Sequence, residues 1–318
     1  MPIRFLSEKD LESLSITTVD VVAAIEALLR GLAQNAVWCA PKAVMLPPDG
    51  RYMMAALAAA DDPPLFAVKT VILNPANAER DIPLINGVVT LLDSHTGLPV
   101  GVVDGNWATA VRTAGLSAVA AKALARPQSA VAAFIGCGVQ ARSHLTAFAE
   151  LFPLRRITLS GRGRPNIDAL TKLARSLGLE VVESASPAEA IADADIIVTT
   201  LTRAPGRPPF LDASLLKEGA FAAIVDLAEP WKKETFRAFD RIVIDDLEQE
   251  NASAVKLASP ELVAGDLARL VQGKIAGRSN ARERTAFIFR GYGLGDLALA
   301  GLAYRKAGEA GRGTLIAT

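Results

Sequence analysis

Histidine and cysteine are almost missing from this chain, which carries two of each in 318 residues. Cys39 and Cys137 stand far apart in unrelated contexts, so they form neither a disulfide framework nor a thiolate metal cluster. With His95 and His144 as its imidazoles, the chain lacks the material for a histidine-based metal site or a Ser-His-Asp triad, and no metal is expected. An excess of one charge is missing too. The 34 acidic residues match 34 basic ones, which removes the broad field that draws a protein to nucleic acid or an anionic membrane. No apolar run is long enough to cross a bilayer, and MPIRFLSEKDLESL puts charges where a secretory leader needs an apolar core. These absences predict a soluble, cytoplasmic protein with a small-molecule partner, whose chemistry rests on Lys, Arg, Asp and a cofactor.

What is plentiful is apolar sequence, at 51% of the residues, spread over a chain long enough to predict two domains. The run Val131-Ala132-Ala133-Phe134-Ile135-Gly136-Cys137-Gly138-Val139-Gln140-Ala141 reads as a buried strand, a glycine turn and a helix start. Gly136 permits the tight turn, Gly138 lets the backbone approach a pyrophosphate, and Ala141 lets helix pack on strand. The open amides of the following helix would face the phosphates. Strands and helices alternate onward from there: strands near 156–160, 179–183, 195–200, 219–226 and 241–245, helices near 139–151, 166–177 and 187–192. Such alternation predicts an α/β fold with a Rossmann-type doubly wound parallel sheet.

The first hundred residues differ. Ser7 and Thr18 mark helix starts, and then come short β-prone pieces at 43–46, 51–57, 65–73, 88–93 and 99–104. Joined by short loops, they predict a second α+β domain built on an antiparallel sheet. Asp93-Ser94-His95-Thr96-Gly97 reads as a hairpin loop, which makes His95 a solvent-facing turn residue. An alanine-rich helix from Ala114 to Ala125 links the domains, and another helix begins near Asp296.

Cofactor choice is read at the tip of the second strand of the nucleotide unit, roughly 20 residues past the first glycine. That strand ends here in Ser160-Gly161-Arg162-Gly163-Arg164, with no acid to accept the ribose hydroxyls. Ser160, Arg162 and Arg164 suit a 2′-phosphate, so NADP(H) is preferred, with NAD(H) the alternative. In the first domain Lys69 lies within Leu65-Phe66-Ala67-Val68-Lys69-Thr70-Val71, sharing a strand face with Ala67 and Val71. An ammonium there needs an anion or a cleft; the other reading is an edge-strand lysine that discourages aggregation. Arg112 is an isolated fork donor in a small-residue segment, a place that suits a carboxylate, and Lys42 is a third candidate cation.

Taken together, Asp104-Gly105 through Arg112-Thr113-Ala114, Leu124-Ala125-Arg126-Pro127, and Ile135-Gly136-Cys137-Gly138-Val139-Gln140-Ala141-Arg142-Ser143-His144-Leu145 resemble the ornithine cyclodeaminase/μ-crystallin family. Phe287, Gly291 and Asp296 are similar to its C-terminal signature. The resemblance implies a homodimer, with a substrate-binding and dimerisation domain at 1–118 plus 291–318 and a Rossmann domain at 119–290. It implies that Lys42, Lys69 and Arg112 grip a substrate carboxylate and that the backbone around Arg290-Gly291 lies near the nicotinamide. Thr113, Val139, Gln140 and Thr200 complete the expected cofactor set with Gly136, Gly138 and the 160–164 loop. His144 matches the family as well and is read as structural.

Two departures narrow the activity. The family's catalytic aspartate, two residues before a proline, is replaced by Ala228 in Ile224-Val225-Asp226-Leu227-Ala228-Glu229-Pro230. Asp226 is the candidate substitute in catalysis, with Glu229 second, although Asp226 equally suits a structural place at a strand end. Around Tyr52-Met53-Met54-Ala55-Ala56-Leu57 there is no acid for a distal ammonium, which disfavours ornithine as substrate. The expected activity is NAD(P)H-dependent reduction of a small α-imino acid such as Δ1-pyrroline-2-carboxylate, or the reverse amino-acid dehydrogenation, with Lys69 and Asp226 in catalytic roles. The alternatives are an ornithine cyclodeaminase releasing proline and ammonia, and a non-catalytic NADPH- or small-ligand-binding protein of the μ-crystallin kind.

Overall fold

In the computed structural model, which describes residues 2–202 and 206–317, the chain opens with β1 (Ile3–Leu6), a strand too short to show a period. Two capping boxes follow. Ser7 and Asp10 exchange bonds to start α1 (Glu8–Glu12), and Thr17 and Asp20 do so for α2 (Thr18–Gly31). Five strands come next: β2 (Val37–Met45), β3 (Tyr52–Asp61), β4 (Pro64–Leu73), β5 (Ile85–Asp93) and β6 (Pro99–Asp104). β2 begins well before the expected residue 43, because its proline falls where the ladder with β3 is interrupted between Ala40 and Ala43, and a bulged edge tolerates a missing donor. Helix α3 (Gly105–Leu124) likewise starts early, its first turn capped by the Asp104 carboxylate, which accepts from the Trp107 amide at 2.8 Å.

The middle of the chain contributes β7 (Val131–Ile135), α4 (Val139–Leu151), β8 (Arg156–Ser160), α5 (Arg164–Ser176), β9 (Glu180–Glu183), α6 (Pro187–Ala192) and β10 (Ile196–Thr199). Then come β11 (Phe221–Ile224), β12 (Arg241–Ile244), α7 (Leu247–Ala252), β13 (Val263–Asp266), α8 (Leu267–Val271) and β14 (Thr285–Ile288). The tail supplies α9 (Gly293–Glu309) and β15 (Thr314–Ile316). No helix among the described residues is long and apolar enough to cross a membrane.

The chain forms two compact units, Met1–Arg112 with Tyr292–Thr318, and Thr113–Gly291. The first holds a seven-stranded sheet in the order β15-β1-β6-β5-β4-β3-β2. It is mixed rather than antiparallel, since β1 runs parallel to β6; a parallel neighbour needs a long crossover, and the strands and helices between them supply it. Helix α9 packs on β3 and β4, so the inward face of β4, Leu65, Ala67, Lys69 and Val71, is buried.

The second unit holds an eight-stranded sheet in the order β13-β12-β14-β11-β10-β7-β8-β9, parallel throughout. Its central strands β10, β11 and β14 are buried along their whole length, as strands covered on both faces must be. The chain steps from β7 outward through β8 to β9 and then returns to β10 on the other side of β7. That reversal opens a crevice beyond the strand ends, where α/β sheets bind ligands.

Candidate cofactor and carboxylate sites

A cleft of about 570 Å³ lies at that reversal, lined by the turn after β7, the loop after β8 and the segment after β10. Gly136 has φ +92°, and a Cβ there would come within 3.1 Å of the Thr200 carbonyl oxygen, so both conformation and space require glycine. The Gly136 amide donates to the Ser160 carbonyl at 2.9 Å, which ties the turn to the tip of β8. A Cβ on Gly138 would meet nothing. Gly138 is also the N-cap of α4 and makes no side-chain cap, so the open amides at this helix start suit an anion. Bare backbone at the turn and a helix N-terminus at its rim fit a pyrophosphate.

Of the residues assigned to the cofactor from sequence, Gly136, Gly138, Ser160, Arg162 and Thr200 line this cleft. Val139, Gln140 and Thr113 lie outside its lining; Val139 is exposed on α4 and Thr113 is buried in α3. Arg164 also lies outside the lining. Its guanidinium pairs with Glu183 at 2.6 Å and with Asp168 at 3.4 Å, so neighbouring acids engage the charge expected to meet a phosphate. Arg162 has no ionic partner among the described residues. The sequence reading missed Asn166, Leu201, Thr202, Arg207 and Phe210, which also line the cleft. Leu201 and Thr202 follow a strand tip, a position that by itself signals the crevice; Arg207 and Phe210 sit in irregular chain with no pattern to mark them. Cys137 is on the cleft wall as well, and burial pushes its thiol up to about 11, so it is inert.

Gly291 stands elsewhere in this unit. Its amide and that of Arg290 donate to Asp245 Oδ2 at 2.6 and 2.9 Å, and Gln249 Nε2 donates to its carbonyl at 2.8 Å. Hence the backbone that the resemblance puts near a nicotinamide is fixed from both sides. Asp226, just past β11, is buried, with its carboxylate accepting from Thr199 Oγ1 at 3.0 Å and from the Leu201 amide at 3.1 Å. Burial pushes its carboxyl up to about 7, against the pull of those two bonds. Ala228 turns its methyl into the apolar core of the unit.

The cations gather in the first unit. Lys69 Nζ and Arg112 Nε both lie 2.9 Å from Asp296 Oδ1, and all three residues are buried. β4 is an interior strand between β3 and β5, which rules out the edge-strand reading of Lys69. Asp296 sits in the first turn of α9, where a carboxylate also meets the positive end of the helix dipole. The bulge in β2 places Pro41 and Lys42 opposite Ala56, and Ala56 pairs with Lys69 on the next strand. Lys42 is close enough to be felt by Lys69. Burial, the Arg112 charge and, to a lesser degree, Lys42 lower the Lys69 pKa to about 8, while Asp296 holds it up.

His95 lies exposed in the β5–β6 turn, its amide bonded to Asp93. His144 is fully buried between Gln140 and Ser117.

Comparison with known proteins fits this geometry. A sequence model of the ornithine cyclodeaminase/mu-crystallin family matches residues 4–311. Ketimine reductase mu-crystallin of Rattus norvegicus is 31% identical over 258 residues, 79% of each chain. Among solved structures, Δ1-pyrroline-2-carboxylate reductase of Thermococcus litoralis, in complex with NADH and L-proline, matches with a TM-score of 0.88 at 28% identity, over 98% of this chain and 99% of that one. An archaeal alanine dehydrogenase dimer with bound NAD matches with a TM-score of 0.86 at 25% identity, over 100% of this chain and 99% of the other.

Proposed function

Because the chain belongs to the ornithine cyclodeaminase/mu-crystallin family, we propose that it is an NAD(P)H-dependent reductase of a small α-imino acid, or the reverse amino-acid dehydrogenase. The observation that carries this reading is the convergence of Lys69 and Arg112 on one carboxylate oxygen. An ammonium has three donors and Asp296 takes one from Lys69, so the same ammonium has donors for a second carboxylate. A substrate carboxylate bound by Lys69 and Arg112, with Lys42 adding charge, is anchored at one end and presents its C=N carbon in a fixed orientation. The relatives act on or bind such acids: one is named a ketimine reductase, and another holds L-proline.

The bare turn at Gly136 and Gly138 and the start of α4 would hold the pyrophosphate of a dinucleotide. Ser160 and Arg162 would favour the 2′-phosphate of NADP(H), with NAD(H) as the lesser choice. When bound, the reduced nicotinamide supplies hydride to the electrophilic carbon of a protonated C=N. A buried, protonated Lys69 keeps the substrate carboxylate ionised and in place. No acid lies among Tyr52–Leu57 for a distal ammonium, so a cyclic imine such as Δ1-pyrroline-2-carboxylate is preferred over ornithine. A homodimer is part of the reading, supported by the dimeric alanine dehydrogenase neighbour and by the exposed apolar side chains Trp38, Met45, Leu57 and Ile72 on β2, β3 and β4.

The test is a panel of cyclic imines, α-keto acids with ammonia or methylamine, and ornithine, followed with NADH and NADPH. Consumption of reduced nucleotide with a cyclic imine is expected. Ammonia release from ornithine with no net change in nucleotide absorbance would make the protein a cyclodeaminase. Tight NADPH binding with no turnover of any member would make it a binding protein.

A further inference from the structure

The segment leaving β10 is held by a carboxylate on the neighbouring strand end. Trp231 Nε1 donates to Thr199 Oγ1 at 3.2 Å, the Thr199 hydroxyl donates to Asp226 Oδ1 at 3.0 Å, and the Leu201 amide donates to Asp226 Oδ2 at 3.1 Å. An indole N–H can only donate, so the hydroxyl directs its own proton at Asp226, and both carboxylate oxygens act as acceptors. Between these two anchored residues lies Thr200. Its amide bonds the Ile135 carbonyl at 3.0 Å, and its hydroxyl reaches the Gly136 carbonyl at 3.4 Å. Thr200, Leu201 and Thr202 then form one wall of the 570 Å³ cleft.

We propose that Asp226 is a positioning residue for the dinucleotide: its ionised carboxylate fixes the Thr199–Leu201 backbone, and through it the cleft wall formed by Thr200 to Thr202. This assignment, in place of proton transfer to substrate, rests on the reading of the cleft as a nucleotide site. Proton uptake at Oδ1 would reverse the bond from the Thr199 hydroxyl, leaving that hydroxyl to accept from both Asp226 and Trp231 with its own proton unsatisfied, and would weaken this end of the clamp. Burial brings the Asp226 pKa up to about 7, with the Glu229 charge a lesser contributor in the same direction. Glu229 and Arg207 line a pocket of about 230 Å³ together with Asp226, and they are the charged side chains in that lining. The clamp therefore loosens as pH falls through neutrality.

Asp226→Asn tests the proposal, because it keeps one acceptor oxygen and its amide nitrogen only donates, so it cannot accept from both the Thr199 hydroxyl and the Leu201 amide. NADH is the probe, since it carries no 2′-phosphate to titrate. For the full chain, the Kd of NADH should rise roughly tenfold, about the factor for a hydrogen bond to a charged group. The wild-type weakening of NADH binding below about pH 7 should also flatten, with the loss appearing in KM for NADH rather than in kcat. A collapse of kcat at unchanged Kd would instead put Asp226 on the substrate and overturn the assignment, as would an unchanged Kd and pH profile. Amide exchange at 199–202 without nucleotide separates the two readings. Faster exchange in Asp226→Asn supports the clamp even if the wild type binds neither NADH nor NADPH, an outcome that refutes only the nucleotide reading; unchanged exchange refutes the clamp. If Asp226→Asn does not fold, Thr199→Val removes the hydroxyl and keeps the carboxylate. It should weaken NADH binding less and move the pH break upward, and wild-type behaviour would refute the proposal.

Discussion

Lys69 Nζ and Arg112 Nε approach the same oxygen, Asp296 Oδ1, at 2.9 Å each. Strand β4 delivers one cation and helix α3 the other, so their meeting is a product of tertiary structure. Neither charge would be tolerable at this burial without an acid.

Lys69→Met keeps the apolar stem and deletes the ammonium. The expected result is a loss of kcat/KM for the imino acid of roughly a hundredfold, the scale of removing one partner from a buried charged pair, with the Kd of NADH unchanged. Equal losses in both would place Lys69 outside the substrate pocket. The wild type should also show KM rising above about pH 8, where Lys69 loses its proton, and the mutant should not. The effect on stability has the opposite sense. Lys69 has a lower pKa folded than its ordinary 10.5, so between those values the unfolded chain binds more protons and stability rises with pH. A KM that worsens while denaturant resistance improves over the same interval would be the signature of this one lysine.

Arg162 and Arg164 flank one glycine but have different partners. Arg162 lines the cleft, whereas Arg164 is paired with Glu183 at the end of β9. Arg162→Ala should raise the Kd of NADPH roughly tenfold and leave that of NADH almost unchanged, as expected for one charge-assisted bond to phosphate. Arg164→Ala should leave the NADPH to NADH ratio as it was. Fluorescence titration of both nucleotides decides it, and a ratio that follows Arg164 instead would mean that its pair with Glu183 opens for the ligand.

The contrast between these arginines shows what could be read from sequence. The strand, glycine turn and helix of the nucleotide unit lie within one continuous run, so their pattern is local and legible. The pairing of Arg164 with Glu183 joins β9 to the start of α5 and leaves no mark near either residue. Lys69 announced itself as a lone cation on an apolar face, yet its partner Asp296 is 227 positions away and was noticed only as part of a C-terminal signature. β1, β13 and β15 span three or four residues and lie outside the strand-helix alternation that makes the equally short β9 to β12 legible. Their existence depends on neighbours already in the sheets. Asp226 was singled out for its charge, but its engagement by Thr199 and Leu201 depends on β10 and β11 being adjacent, which no local pattern encodes.

His144 supplies a test of the nucleotide unit that is independent of any ligand. Its Nδ1 lies 2.7 Å from the Gln140 carbonyl, which can only accept, so Nδ1 carries the proton and Nε2 accepts from Ser117 Oγ at 2.9 Å. Burial drives the imidazole pKa down to about 4 from 6.5. The folded chain therefore holds a neutral ring where the unfolded chain takes up a proton. Stability from this residue is complete above pH 6.5 and is lost as pH falls toward 4, by about 3 kcal/mol across that interval. His144→Gln does not titrate, so the stability gap between wild type and mutant in urea should be largest at neutral pH and shrink at about pH 4.5. A gap that stays constant with pH would show that the ring is not held neutral.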